Sequence, residues 1–481
     1  MTITNRRLTD EEFAQQRQEV LGMWRTGKEV DLDEAVAYHE SLLPKKNMAI
    51  QLDEARKRGE TLLTSDMGHT TIEQEIELLQ YIQNQGHPDF LGTMIDSFTR
   101  TLRFELAGKE IEKSVASGKS LLNGFPIINH GVKGTRRVID AVDLPVRLRF
   151  VSPIARLIVE IGLAGGHTYT EGHPLMCFMN YSKTATVENV IREYQYIFRL
   201  VGEYESRGIP IIVHAIGGNN IPGVTPPSLI MASTILNLLM FPEQGVKHAW
   251  VNSVSQGNIA QDIAYAVTGQ KLGYEYLKKL GYKDFTIYSG GAEIAGRYPR
   301  DEAQAAAEVL WSPMISMLAG VDLCLIKTHD EAQTIATKES NAYSLRGAKM
   351  MLRMMKGQKF DVLDNKDVVA EIDMLEKETR SIVDRVLEMG EGDPVVGSVR
   401  AFEAGVLDHP VASNNSVRGI AIGARDAKGA VRYLVCDNQP FSKEIRDFHK
   451  EKLSEREKAI GKKLDWDMVV GDILQISQPL V

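Results

Sequence analysis

PIIVH (210–214), HAWV (248–251), FTIY (285–288) and LCLIK (323–327) are the runs that decide the fold. Each is a short stretch of β-branched, aliphatic or aromatic residues, and their starts lie about 37 residues apart. That interval holds a strand, a helix and two loops. A repeating strand–helix unit implies a parallel sheet, because parallel neighbours need a crossover. Upstream, Thr61–Ser65, Asp89–Ile95, Leu121–Phe125, Val146–Phe150 and Thr168–Glu171 read as further strands. Helix punctuation lies between them. Thr186 caps a helix in which Val187, Val190, Ile191, Tyr194, Ile197 and Val201 share one face, ending near Gly208. Ile72, Ile76, Leu79 and Ile82 repeat the pattern before Gly86. Ser152-Pro153 reads as an N-cap and first-turn proline ahead of Ile154 to Leu163. Closed into a ring, such units make a (β/α)8 TIM-type barrel; left open, a doubly wound sheet. No G-x-G-x-x-G follows the first strand, so the α/β barrel is the expected fold class, with one of the nine candidate strands lying outside it. The expected organisation is an N-terminal helical wrapping segment (1–56), the barrel (57–356) and a C-terminal α+β extension (357–481). In the last, helical stretches at Val368–Met389 and Ser442–Lys463 flank a β-like patch at Val431–Val435.

Composition narrows the function. Of 481 residues, 25% are charged and 43% hydrophobic, enough for a packed core. Lys and Arg number 56 against 64 Asp and Glu, so there is no basic surplus to neutralise a phosphate backbone, and nucleic acid is excluded as the expected partner. Cys177, Cys324 and Cys436 are sparse, odd in number and far apart, which fits a reducing compartment. The first 20 residues are charged where a secretory signal is apolar, and no apolar run approaches the 18 or so residues of a membrane span, so a cytoplasmic protein is expected.

In a barrel, chemistry sits at the C-terminal ends of the strands. Arg147 and Arg149 are two apart on one strand and share a face. Arg100 follows the second strand, Glu171 ends the fifth candidate, and Lys327 ends the last with Glu331 four residues on. Converging guanidiniums make an anion clamp; the plainer alternative is that they are salt-bridged at the rim. His167, Glu171 and His173 resemble metal ligands, but no second cluster completes a site, and no metal is expected. His130 and His214 read as hydrogen-bonded residues near the core. No G-x-S-x-G elbow is present.

Together with these residues, the ordered motifs LTDEEF (8–13), WRTGKEVDL (24–32), LLNGFP (121–126), HGVKG (130–134) and LPVRLRF (144–150) resemble the epsilon, or large catalytic, subunit of glutamate mutase (methylaspartate mutase). The likeness continues through GGHTYTEG (165–172), GNIAQDIA (257–264), KTHDEAQTIATKESNA (327–342) and AFEAGVLDHP (401–410), then VRYL and PF near the end. It implies an adenosylcobalamin-dependent isomerase in amino-acid metabolism. In that family homolysis of the cobalt–carbon bond yields a radical that takes a hydrogen from the substrate, and a glycyl fragment migrates, interconverting L-glutamate and 3-methylaspartate. It also implies a small sigma-type partner that carries most of the cobalamin and supplies the cobalt-ligating histidine in D-x-H-x-x-G, a motif missing from this chain. The family's assembly is a heterotetramer containing two large subunits.

Residue by residue, the resemblance assigns substrate carboxylates to Arg100 and Arg149, the substrate ammonium to Glu171 and a hydrogen bond to Tyr181. It assigns cofactor contacts to Lys327, Glu331, Gly68, Asn123 and Ile335, with Tyr298 standing where the family has phenylalanine. The departures are Asp66 for a third substrate arginine, Cys177 for a tyrosine, Phe150 for a histidine, Asn180 for a proline, Ala292 for a histidine and Ile216 for a phenylalanine. Arginine to aspartate changes the local charge by two units, each worth about 3 kcal/mol against a carboxylate at about 5 Å and an effective dielectric of about 20. Two expectations follow: Arg147 rebuilds the clamp, or Asp66 meets a cationic or hydroxylated end of a different small amino acid. Two rival readings keep the barrel without this chemistry: a cobalamin-independent lyase using Lys327 as a Schiff-base amine, and a non-catalytic or regulatory paralogue that binds the small subunit.

Overall fold

Threonine hydroxyls open the helices that frame the first half of the fold. Thr71 accepts from the Gln74 amide in a reciprocal capping box and starts Ile72–Gly86, and Thr186 accepts from the Asn189 amide and starts Val187–Ser206. Ser152 does not cap. Its hydroxyl donates to the Arg100 carbonyl at 2.8 Å, and the helix begins later, at Arg156–Ala164. A computed structural model describes residues 3–42, 44–218, 224–291, 294, 298–331, 336–358 and 361–475.

The strands are β1 (Leu62–Thr64), β2 (Leu91–Met94), β3 (Val146–Arg149), β4 (Tyr169–Glu171), β5 (Ile212–Ala215), β6 (His248–Asn252), β7 (Thr286–Gly291) and β8 (Leu323–Leu325). Parallel pairing runs β1-β8-β7-β6-β5-β4 in one sheet and β2-β3 in another. Parallel bridges Thr64–Phe90 and Met67–Thr93 tie β2 to β1. β3 lies beside β4, joined by the Arg149–Glu171 ion pair and by His167 Nδ1 at 2.9 Å from the Val146 carbonyl. The eight strands therefore circle in chain order, as a TIM-type barrel requires. Leu121–Phe125 is the supernumerary candidate. Only Phe125 bridges, to Ile95, because Gly124 at φ +138° presses its backbone onto that strand end; a Cβ there would lie 2.7 Å from Asp96 Cα.

Alternation sends Leu62, Phe90, Tyr169, Ile212, Trp250 and Leu323 into the lumen. The helix Met48–Lys57, capped by Asn47, packs Met48, Ala49, Leu52 and Ala55 against these residues and closes the N-terminal mouth. Beyond the barrel, an antiparallel hairpin pairs β9 (Ile422–Arg425) with β10 (Val431–Val435). The helix Lys366–Met389 lies on Pro227–Leu239 and Ile259–Lys279, and Ser442 caps the charged helix Lys443–Ile460. No helix among the described residues is long and apolar enough to cross a membrane.

Candidate active site

β3 contributes two guanidiniums at different depths. Arg147 pairs in register with Gly92 and Arg149 with Met94, so Arg149 sits roughly 6–7 Å nearer the C-terminal mouth. The Arg147 side chain is 1% exposed, with its guanidinium 5.0 Å from the Tyr169 ring centre and 5.3 Å from that of Trp250. A cation at that depth needs a counter-charge, and Asp66, two residues past β1, supplies it through a short ion pair. Burial works against the Arg147 cation and Asp66 more than restores it, leaving its pKa raised. β2 separates the two strands, and the pair spans it because Gly92 has no side chain: a Cβ there would lie 2.6 Å from Asp66 Oδ1 and closer still to the Ser65 carbonyl. Arg147 therefore does not join a clamp at the mouth, and Asp66 is turned to the protein's own arginines. Its second oxygen lies 3.4 Å from Arg149 Nε.

Glu171, at the end of β4, has a wholly buried side chain. It forms an ion pair with Arg149, accepts from the Val151 amide and, at 3.3 Å, from the Phe150 amide, and lies 3.6 Å from His173 Nε2. Burial alone raises this carboxyl; Arg149 and His173 hold it well below the usual range. Val151 adopts φ +31°, an unusual conformation for a β-branched residue, beside the amides that face Glu171. Arg100 lies in the turn Thr99–Thr101 after β2, which Asp96 caps through the Phe98 and Thr99 amides at 2.8 and 3.0 Å. Burial and the neighbouring Arg149 lower the Arg100 pKa, and its buried Nε has no hydrogen-bond partner among the described residues. Tyr181 ends the helix Pro174–Tyr181, 38% exposed. Cys177, on the same helix, is fully buried with its Sγ 3.1 Å from the Tyr194 hydroxyl, and burial raises the thiol.

Across the mouth, Lys327 Nζ lies 3.3 Å from Glu331 Oε1 just past β8. Thr328 Oγ1, His329 Nδ1 and Asp330 Oδ1 are buried with no hydrogen-bond partner among the described residues, and the His329 ring packs on Tyr343. Gly68 sits where the chain after β1 crosses close to other backbone: a Cβ would lie 2.8 Å from Gly124 Cα and 2.9 Å from the Phe125 nitrogen, next to exposed Asn123. Tyr298 is buried after β7; Ile335 and Ala292 lie outside the described residues.

The histidines divide. His130 Nε2 lies 2.8 Å from the Thr70 carbonyl, and its ring stacks on Phe125. His214 instead lies in the lumen, stacked on Trp250 at 4.3 Å, with neither ring nitrogen hydrogen-bonded among the described residues, because the walls around it are largely aromatic. His167 is held at the β3 backbone, apart from the Glu171–His173 contact.

Sequence reasoning missed two residues. Gly92 carried one signal, a glycine in mid-strand, which marks close approach. Glu75, in the first turn of Ile72–Gly86, is wholly buried and accepts from the His69 amide at 2.6 Å and the Thr93 hydroxyl at 2.9 Å. It fastens the loop after β1 to β2, and nothing in its spacing distinguishes it from a surface glutamate.

The sequence matches the family described as Methylaspartate mutase E chain (MutE) over residues 42–481. It is 40% identical over 482 aligned positions to a protein named glutamate mutase epsilon subunit from Desulfitobacterium hafniense (strain Y51), covering 100% of this chain and 99% of that relative. A protein of the same name from Treponema denticola is 39% identical, over 98% of this chain and 97% of its own. A truncated 3-deoxy-D-arabino-heptulosonate 7-phosphate synthase from Thermotoga maritima aligns with 61% of this chain and 86% of its own at 11% identity, with a TM-score of 0.32, too low to bear on the fold. On the strength of the near full-length sequence matches, the chain belongs to the methylaspartate mutase E chain family.

Proposed function

We propose that the chain is the catalytic subunit of an adenosylcobalamin-dependent carbon-skeleton mutase acting on a small amino acid, completed by a small cobalamin-binding subunit. The supporting observation is that one mouth of a floored barrel gathers two groups of residues. Arg100, Arg149, Glu171 and Tyr181 lie on the β2–β4 side, and the Lys327–Glu331 pair lies past β8. Two relatives named epsilon subunit support a multi-subunit assembly.

The fit to the cofactor rests on Thr328 and Asp330, whose buried polar atoms follow Lys327 closely in the chain and have no hydrogen-bond partner among the described residues. That mixture of donors and acceptors suits the hydroxyls of a ribose. Lys327 and Glu331 would hold the adenosyl group, with Gly68 and Asn123 beside it. When bound, adenosylcobalamin supplies hydrogen-atom abstraction through homolysis of its cobalt–carbon bond. The chain's own part is positioning and exclusion of water. Arg100 takes a substrate carboxylate, and Arg149, braced from both sides, fixes the adjoining wall. Glu171 provides the negative potential for the ammonium, since its His173 contact at 3.6 Å is beyond hydrogen-bond reach and leaves acceptor capacity. The lyase alternative is disfavoured because the Lys327 amine is tied to Glu331, and an ion-paired amine is a poor Schiff-base nucleophile.

The test is electron paramagnetic resonance on the chain with its small partner and adenosylcobalamin while amino acids are titrated. A coupled cobalt(II)–organic radical signal is expected with the true substrate. Arg100→Lys, which loses the fork, should weaken substrate binding roughly 100-fold. Unchanged turnover in that variant, or no signal with any amino acid, would refute the proposal.

A further inference from the structure

We infer that the Asp66–Arg147 pair, admitted by the bare backbone of Gly92, sets this site for amino acids with one carboxylate and an uncharged side chain, and turns dicarboxylic amino acids away. The inference rests on the reading above that the mouth binds an amino acid. It follows from charge and depth.

Three guanidiniums (Arg100, Arg147, Arg149) and two ion-paired carboxylates (Asp66, Glu171) meet on the β1–β4 side, which leaves one net positive charge. Asp66 cancels Arg147 at the bottom of the group and reaches Arg149 with its second oxygen, while Glu171 holds Arg149 from the other side. Arg100 is the one guanidinium of the three with no carboxylate within 4.0 Å among the described residues, and its Nε is buried without a partner. Asp96, a further carboxylate whose field reaches Arg100, turns one oxygen to the Phe98 and Thr99 amides and adds no positive charge. Across the mouth, Lys327 and Glu331 cancel.

A zwitterion meets this arrangement: its carboxylate on Arg100, its ammonium toward Glu171. A second carboxylate finds no unclaimed cation on this side among the described residues. Near Arg149 it is repelled by both Asp66 and Glu171. To win Arg149 it has to displace Asp66 and strand Arg147, whose side chain is 1% exposed, and to win Arg147 itself it has to strand the Asp66 carboxylate, whose side chain is 3% exposed. Gly92 makes the arrangement possible, because a side chain there would expel the Asp66 carboxylate.

The experiment is isothermal titration of the full-length chain with the isosteric pair L-glutamine and L-glutamate, alongside L-norvaline, L-2-aminobutyrate and 3-methylaspartate. The wild type is expected to bind at least one monocarboxylate 10-fold or more tightly than either dicarboxylate. Asp66→Asn, which adds one net positive charge, should shift that ratio 10-fold or more toward L-glutamate. Circular dichroism would check that this variant folds. The double variant Asp66→Asn/Arg147→Gln restores the original charge without the buried pair, and should return the wild-type ratio. The inference is overturned if the wild type prefers a dicarboxylate, if the ratio is the same in all three proteins, or if no amino acid binds. A radical signal with L-glutamate in the assembled complex would sink this inference and leave the mutase reading standing. A ratio that follows charge, with no radical signal from any amino acid, would do the reverse.

Discussion

Gly92 is a residue whose value lies in what it lacks. Alanine in its place puts a methyl group 2.6 Å from Asp66 Oδ1 and against the Ser65 carbonyl, where neither a three-residue strand nor an ion-paired carboxylate can yield cheaply. Gly92→Ala should destabilise the fold by roughly 1–3 kcal/mol, the usual cost of overpacking. Urea unfolding would read it, and an unchanged midpoint would mean the pair tolerates a side chain between its partners. The same residues show what a sequence yields at this scale. Period-two alternation put Arg147 and Arg149 on one face, as found. It says nothing of depth, so Arg147 read either as part of a clamp or as one half of a salt bridge, and it is the buried partner of Asp66. Finding that partner requires knowing that β2 lies between them and is bare at one point, which is a fact about three strands rather than one.

Among the elements, Ile72–Gly86 is anchored by a carboxyl that burial pushes up to about 8. The folded chain then keeps a proton on Glu75 at pH values where the unfolded chain has lost it, so stability falls as pH rises from the ordinary carboxyl range toward 8. Glu75→Gln, neutral at every pH and able to accept from His69 while donating to Thr93, should remove that loss. Between about pH 5 and 8 the wild type should weaken against the variant by roughly 1 kcal/mol per pH unit. Parallel melts across that range would show it; identical slopes would place the proton elsewhere. Local pattern served the longer elements well. Thr186, the Val187–Val201 face and Gly208 bracketed a 20-residue helix correctly. It served short ones poorly: β9 has four residues and passed unnoticed, while Leu121–Phe125 had a strand's composition but Gly124's conformation.

For the molecule as a whole, the C-terminal region is part of the barrel's coat. Every residue of Pro227–Leu239 is buried, and Lys366–Met389 covers it with Met374, Leu375, Ile382, Val383 and Val386 in the core. At about 2 kcal/mol for each buried side chain, that face contributes on the order of 10 kcal/mol, comparable to the net stability of a typical domain. A chain ending at residue 356 should therefore aggregate or lose cooperative unfolding, as size-exclusion chromatography and calorimetry would show. A monomeric fragment with a sharp melt would instead make the extension a separate domain.

Met48, Ala49, Leu52 and Ala55 occupy the floor of the barrel, so the lumen is a cul-de-sac. With that end stoppered, whatever reaches Arg149 approaches from the C-terminal side. A body standing over that side would govern arrival and departure alike.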